Sequence, residues 1–224
     1  DLIDSAYASS IGCLSDEEKK IGSICIDIGA GTSKISIFIN GKPEFIDYIP
    51  LGGNDVTNDI ANGLEMSNEL SEYIKIVQGS IQFSSNEKLK INMPNGTEKI
   101  ITKNLLNGII KPRYEEIFEL IRERIYSKIT ENLPIKKVVL TGGASQIEGA
   151  INLSEKIFNR KSQLSGPNTK LSYFNKKPEF STIIGLILSQ KNLSQLHWNK
   201  SNYGIKRAFK VIDSFDDWIT DSFT

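Results

Sequence analysis

Ile26-Asp27-Ile28-Gly29-Ala30-Gly31-Thr32-Ser33-Lys34 is the stretch on which the fold turns, and the residues after its glycines decide how it is read. In a Rossmann fingerprint the glycines open a helix. Here they run into Lys34-Ile35-Ser36-Ile37-Phe38-Ile39, which alternates as a strand. Lys34 also stands where that fingerprint needs its third glycine. A P-loop needs Gly-Lys-Ser/Thr after its glycines, and none is present. Ahead of the turn, Ile24, Ile26 and Ile28 alternate in the same period of two. The segment is a strand, a glycine turn and a second strand, with an acid near the end of the first.

That arrangement suits a phosphate. Glycine permits positive φ and close approach of the backbone, so successive N–H groups at Gly29 and Gly31 can face phosphate oxygens. Thr32 adds a hydroxyl. Asp27 projects where a hydrated Mg²⁺ or an attacking water would lie, because Mg²⁺ takes few carboxylates and keeps several waters. Taken alone, the segment also fits an ordinary tight hairpin with an incidental aspartate. Val138-Val139-Leu140-Thr141-Gly142-Gly143-Ala144-Ser145 weighs against that reading. It is a buried strand ending in paired glycines ahead of a helix, where a base or ribose can lie flat on the backbone near a helix N-terminus that favours phosphate.

Working outward, Asn40-Gly41 marks a turn and Glu44–Ile49 a third strand of the meander. Leu51-Gly52-Gly53-Asn54-Asp55 opens a helix through Ala61, with Asp55 or Asn54 as its N-cap. Ser67–Gly79 reads as helix, and Ile81–Ile101 as a hairpin around Pro94-Asn95-Gly96. In Asn104–Thr130, Ile117, Leu120, Ile121, Ile125 and Ile129 share one helical face. Helices come next at Ile151–Phe158 and Phe180–Leu188. Ser189–Asn202 reads as a polar linker before a last helix, Tyr203–Phe223.

Composition removes several classes of function. The 224 residues carry 27 basic and 27 acidic side chains, so the basic excess needed on a nucleic-acid-binding face is missing and no such partner is expected. His197 is the one histidine, which rules out a histidine-based triad or multi-histidine metal site within the chain. Cys13 and Cys25 are too few for a disulfide framework, and Cys25 reads as a small buried hydrophobe in a reducing compartment. No apolar run approaches the roughly 20 residues of a spanning helix, and no basic-plus-apolar leader stands out. The chain is read as soluble and cytoplasmic unless a surface helix attaches it to a membrane.

The two glycine motifs together resemble the actin/Hsp70/sugar-kinase superfamily: Asp27–Thr32 is similar to its second phosphate motif and Leu140–Ala144 to its adenosine motif. Leu51–Thr57 resembles the segment after the meander, which adds Gly52 and Gly53 to the cofactor-binding set with Asp27, Gly29, Gly31, Thr32, Gly142 and Gly143. Ser71–Ile76 is similar to the segment of bacterial actins that approaches the nucleoside, so Glu72 and Lys75 become candidate ribose or adenine contacts; a solvated helix face is the other reading. Within the superfamily, Asp1–Ala8, Asp27–Lys34, Gly52–Gly63 and Val138–Gly149 resemble the FtsA family of bacterial cell-division proteins. The resemblance implies an α/β, actin-like (RNase-H-like) ATPase lobe with a small α+β insertion subdomain and a C-terminal amphipathic helix. It implies ATP and Mg²⁺ as cofactors, with Mg²⁺ near Asp27 through water. The organisation it implies is a connecting helix at 1–20, core at 21–62 and 111–190, insertion at 63–110, linker at 191–202 and membrane-targeting helix at 203–224. As partners it implies the FtsZ C-terminal tail on the insertion, further copies in a filament, and the inner membrane, at whose cytoplasmic face at the division site the protein would lie. A sugar kinase, an Hsp70-like chaperone or a pilus-assembly or plasmid-segregation actin relative is the alternative on the same fold.

Two consequences of that resemblance bear on this chain. The family's first phosphate loop belongs to a lobe absent from this sequence, so the chain is expected to be a C-terminal half that binds nucleotide weakly and hydrolyses none. In the tail, Phe209, Ile212, Phe215 and Ile219 recur at helical spacing with Trp218 beside them, and Lys206, Arg207 and Lys210 precede the apolar centre. Such a face suits a membrane interface, against which stand Asp213, Asp216, Asp217 and Asp221; a helix docked on the chain's own core is the other reading. Lys111, Arg113, Arg122 and Arg124 are basic groups that either meet an acidic FtsZ tail or solvate a helix.

Overall fold

In the computed structural model the described residues are 2–82, 86–94, 96–128, 134–168 and 177–196, the last six as backbone. Helices α1 (Ser5–Cys13) and α2 (Asp16–Ile21) lead into strands β1 (Ser23–Ile28), β2 (Ser33–Ile39) and β3 (Lys42–Ile49). Helices α3 (Gly53–Leu64) and α4 (Asn68–Gln78), strands β4 (Lys88–Asn92) and β5 (Glu98–Thr102), and the long helix α5 (Lys103–Tyr126) come next. Strand β6 (Lys137–Thr141), a 3₁₀ turn (Gly143–Gln146), helix α6 (Ala150–Phe158), strand β7 (Lys161–Leu164), a second 3₁₀ turn (Pro178–Phe180) and helix α7 (Ser181–Leu196) complete the order.

The isoleucine alternation builds a five-stranded mixed sheet in the order β3-β2-β1-β6-β7, with β1–β2–β3 antiparallel and β6 and β7 parallel to β1 and to each other. Because side chains alternate across a strand, the even residues of β1 and their neighbours Ile35, Ile37, Val138 and Leu140 face one side. There they join Val56, Ile60, Ile110, Ile117, Phe118, Ile121 and Leu153 from α3, α5 and α6 in the main core. The odd residues face the other side, where Cys25, Phe38 and Val139 pack under α1 against Cys13 and Leu14. Cys13 and Cys25 are free thiols 3.5 Å apart at sulfur, and the Cys13 hydrogen bond together with burial raises the Cys25 thiol well above its ordinary pKa. That matches the apolar role expected of Cys25.

Strands β4 and β5 pair only with each other. They are tied back to α3 by the Lys99 ammonium on the Leu64 carbonyl and by Ile91 and Ile101 in the core. Of the face expected on α5, Ile117, Ile121 and Ile125 are buried and Leu120 packs partly; Ile129 lies outside the described residues.

Three expectations change. The N-cap of α3 is Gly52, and Asp55 acts from the third helical position, its carboxylate accepting the Gly52 N–H at 2.7 Å. Helix α7 runs on through Leu196, so the first part of the expected linker is helical. Strand β7 was not foreseen: Lys161-Ser162-Gln163-Leu164 has no apolar alternation, and it is a short edge strand. The expected linker remainder and tail, with Phe209, Ile212, Phe215, Trp218 and Ile219, lie outside the described residues. No described helix is long and apolar enough to cross a membrane.

Glu18 fastens α2 to the sheet. Its carboxylate caps α2 by accepting the Ser15 N–H at 2.7 Å and receives Lys137 Nζ at 2.5 Å and Gln163 Nε2 at 2.7 Å from β6 and β7. Burial raises the Glu18 pKa, but the Lys137 and Ser15 hydrogen bonds outweigh it, so the folded value lies below the ordinary 4.5. A depressed carboxylate contributes stability that is complete above its unfolded pKa and is lost as pH falls through the folded one. Glu18→Gln should therefore cost on the order of 1 kcal/mol at pH 7 and progressively less below about pH 4.5. Thermal melts of both proteins at pH 7, 5 and 3 check this; a deficit that does not shrink with acid refutes the ion-pair account.

Candidate functional site

Asp27 lies near the C-terminal end of β1 and is 4% exposed. The hairpin register sets it directly across from Lys34 on β2, and the parallel pairing sets Thr141 on its other side. Lys34 Nζ is 3.3 Å from Asp27 Oδ2, and the Thr182 hydroxyl, in the first turn of α7, donates to the same oxygen at 2.9 Å. Thr141 Oγ1 shares a hydrogen bond of 2.7 Å with Ser181 Oγ and donates to the Pro178 carbonyl at 3.2 Å. The start of α7 is thus bolted over the carboxylate, where the positive end of a helix favours an anion.

Beyond Asp27 the chain turns through Gly29–Thr32, closed by Gly29 N–H on the Thr32 carbonyl at 3.0 Å. The carbonyls of Gly29 and Ala30 point back and accept the N–H groups of Gly53 (2.9 Å) and Asn54 (2.7 Å) from the first turn of α3. A side chain on Gly52 would run into those same carbonyls, 2.6 Å from that of Gly29. Gly52 and Gly53 therefore seat the turn, and their own N–H groups are already paired within the protein. On the outer side, the N–H groups of Ala30, Gly31 and Thr32 meet no protein acceptor among the described residues. A Cβ on Gly31 would touch nothing within 4 Å. Three consecutive free amides beside a rigidly held acid are donors available to an anion, and the turn presents them without positive φ at Gly29 or Gly31.

The paired glycines play unlike parts. Gly142 has φ 88° and ψ 157°, and a Cβ there would fall 2.5 Å from the Ile28 carbonyl oxygen and closer still to Asp27 Oδ1. Gly143 is exposed, with only the Glu179 Cβ within reach, at 3.7 Å. Gln146 Nε2 holds Glu179 Oε2 at 2.9 Å across this opening. The α-helix expected at Ile151–Phe158 begins at Ala150, after a 3₁₀ turn at Gly143–Gln146, so its N-terminus does not stand at Gly143.

Lys75 is buried, and its ammonium is fully engaged: Gly53 O at 2.9 Å, Thr57 Oγ1 at 2.8 Å and Glu72 Oε2 at 2.6 Å. Thr57 also donates to Glu72. Burial raises the Glu72 pKa, yet the Lys75 and Thr57 hydrogen bonds carry it below the ordinary value. A Cβ on Gly53 would stand 3.0 Å from Ala144 Cβ and 3.4 Å from Lys75 Nζ. Tyr114 OH, from α5, donates to the Ala144 carbonyl at 2.7 Å, and burial pushes its pKa up. The structure therefore brings the β1–β2 turn, the Gly52-Gly53 corner, Lys75 and the segment after β6 together. It turns Lys75 inward as a tie, leaving Glu72 half-exposed at the edge. Lys111, Arg113, Arg122 and Arg124 are all paired with carboxylates of this chain, Arg113 most tightly, through two bonds of 2.6 and 2.9 Å to Asp59.

The free amides and open glycines fit the phosphates of a nucleotide. The expected Mg²⁺ reaches Asp27 through water; direct coordination by the carboxylate does not fit. Oδ2 already accepts two donors, one a full positive charge, and Oδ1 rests against Gly142. Among the described residues no cluster of three or more acidic, histidine or cysteine side chains offers a metal another place. Sequence reasoning missed Lys34 and Thr182 as partners of Asp27. Hairpin register could have found the first; the second is 155 residues away and left no local signal.

A family model described as cell division protein FtsA matches residues 24–185. Among curated proteins, the chain is 36% identical over 196 residues to cell division protein FtsA of Rhizobium meliloti, covering 84% of this chain and 44% of that protein. It is 35% identical over 236 residues to the FtsA of Buchnera aphidicola subsp. Baizongia pistaciae, covering 98% and 56%. The chain spans about half the length of the curated relatives it matches. Among solved structures, MreB5 of Spiroplasma citri bound to AMPPNP superposes with a TM-score of 0.67 at 19% identity, over 88% of this chain and 60% of that one. That likeness shows the actin-like fold.

Proposed function

The chain belongs to the FtsA family of cell division proteins, and from that premise we propose that it is a nucleotide-binding lobe that receives the phosphates of ATP on the β1–β2 turn. One observation carries the reading: Ala30, Gly31 and Thr32 offer three consecutive free N–H groups beside Asp27; in this reading the cleft they line reaches exposed Gly143, which follows Gly142 at its contact with Ile28 and Asp27. Gly29, Gly52, Gly53 and Gly142 shape that cleft by letting backbone meet backbone. Glu72, at the cleft edge and held by Lys75, is the candidate ribose contact. The AMPPNP bound by the structurally similar MreB5 supports the choice of an adenine nucleotide.

The same premise extends to the whole protein's role. In this reading residues 63–110 form the inserted subdomain that takes the FtsZ tail, copies assemble into filaments, and 203–224 tether the division ring to the cytoplasmic face of the inner membrane. For these 224 residues taken alone, affinity for ATP is expected in the millimolar range, with no hydrolysis. The test is a titration of the ¹⁵N-labelled chain with ATP, monitored through amide chemical shifts. Ala30, Gly31, Thr32 and Gly143 should move together with ATP and much less with adenosine. If they stay still up to about 10 mM ATP, which corresponds to no binding tighter than about −3 kcal/mol, the phosphate reading fails.

A further inference from the structure

We propose that Lys34 is the resident cation of this phosphate site, so that the lobe binds a nucleoside polyphosphate without a divalent ion at Asp27. The inference rests on the phosphate reading above and adds what neutralises the ligand. Asp27 and Lys34 face each other across the hairpin, one pair back from Ile28 and Ser33, which border the turn that bears the free amides. The ammonium lies 3.3 Å from Asp27 Oδ2 with 21% of its side chain still exposed, whereas the aspartate side chain is 6% exposed. The carboxylate is therefore held inside, and the cation sits between it and solvent.

Lys34 has three donors, and Asp27 takes one; no second acceptor meets it among the described residues. Its flexible four-carbon stem can swing an N–H onto a phosphate oxygen two residues from Thr32, forming a charge-assisted bond while Asp27 stays within reach. A divalent ion bound directly by Asp27 would instead have to displace that ammonium, and one held through water would stand beside its positive charge. The directly bound ion would gain a single carboxylate already bonded to Thr182, where Mg²⁺ demands near-octahedral oxygen coordination. Thr182 is the positioning residue: its hydroxyl fixes the rotamer of Asp27, and Asp27 fixes Lys34.

The experiment repeats the ATP titration of the whole chain in Mg²⁺ and in EDTA, and then with Lys34→Gln and Lys34→Arg. In EDTA the same four amides should shift, with an apparent Kd within about threefold of that in Mg²⁺. Lys34→Gln should weaken binding about tenfold, and Lys34→Arg should keep most of it. Should Lys34→Gln leave Asp27 unpaired and the chain unfolded, Asp27→Asn/Lys34→Gln removes both charges together and should show the same tenfold loss. Shifts that vanish in EDTA and return with Mg²⁺ overturn the proposal while leaving the phosphate site standing. Wild-type affinity in Lys34→Gln overturns it too. Silence of the four amides in both buffers removes the phosphate site itself, and Lys34's role with it.

Discussion

Gly185→Ala should lower the melting temperature of the chain by about 10 °C, although it adds one methyl group to a helix and raises intrinsic helix propensity. Helices α1 and α7 cross with their backbones nearly in contact. A Cβ on Gly185 would sit 2.5 Å from the Ala8 carbonyl carbon, nearer still to its oxygen, and 3.1 Å from the Gly12 nitrogen. The reciprocal position is as tight, since a Cβ on Gly12 would lie 3.0 Å from the Ser181 carbonyl carbon. Those neighbours are main chain, which cannot rotate aside, so the helices must part. The expected cost is on the order of 3 kcal/mol, at the upper end for overpacking. Gly108→Ala gives the opposite sign: it lies in α5 with nothing within 4 Å of a Cβ, so it should gain about 0.5 kcal/mol through the unfolded state. Parallel melts of the two variants decide the point, and a Gly185→Ala midpoint within about 2 °C of the parent, a shift that about 1 kcal/mol or less produces, would mean that the helices slide freely.

The same displacement reaches the site. Thr182 is three residues before Gly185, and its hydroxyl holds Asp27 at 2.9 Å. Pushing α7 off α1 draws that hydroxyl away, so Gly185→Ala should also blunt the ATP-dependent shift at Thr32, far from the mutated residue in sequence.

The features legible in the sequence were those that local periodicity encodes. Ile24–Ile39 alternates on either side of the glycines, and both the hairpin and its core face come from that. Asp27 was legible because an acid ends the strand before a glycine turn. Lys34 was hidden in plain view. It was noticed as the residue that excludes a Rossmann loop, yet a register of Ile28 against Ser33 already puts it opposite Asp27. Strand β7 and the close approach of Gly12 to Gly185 carry no such signal. The first is an edge segment whose pairing depends on β6, and the second depends on how two helices distant in sequence cross. Lys75 shows the limit most clearly. Its place in the motif was recognisable, but whether its ammonium faced a ligand or the Gly53 carbonyl depended on the packing of α4 against α3.

Gly142→Ala should cost the chain stability and its ATP response together, while Gly143→Ala should leave the melt nearly unchanged. Nothing in Thr141-Gly142-Gly143 separates the two glycines; their backbones do. With φ at 88° and ψ at 157°, Gly142 occupies a region essentially closed to side-chain-bearing residues, at a strain of about 1–3 kcal/mol for alanine. A methyl group would also press on Asp27 Oδ1 and the Ile28 carbonyl. The carboxylate can yield only by turning away from Lys34 and Thr182, and that releases the Lys34 cation from its partner. Gly143 has no positive φ and room on its outer side. The two losses in Gly142→Ala are separable, because a variant that melts several degrees low yet remains folded in the cold can be titrated there. Normal ATP shifts at Gly31 and Thr32 in that folded variant would show that Asp27 and its partners do not organise the turn. Shifts lost with the remaining spectrum intact would place the control of phosphate binding in the contact between Gly142 and Asp27.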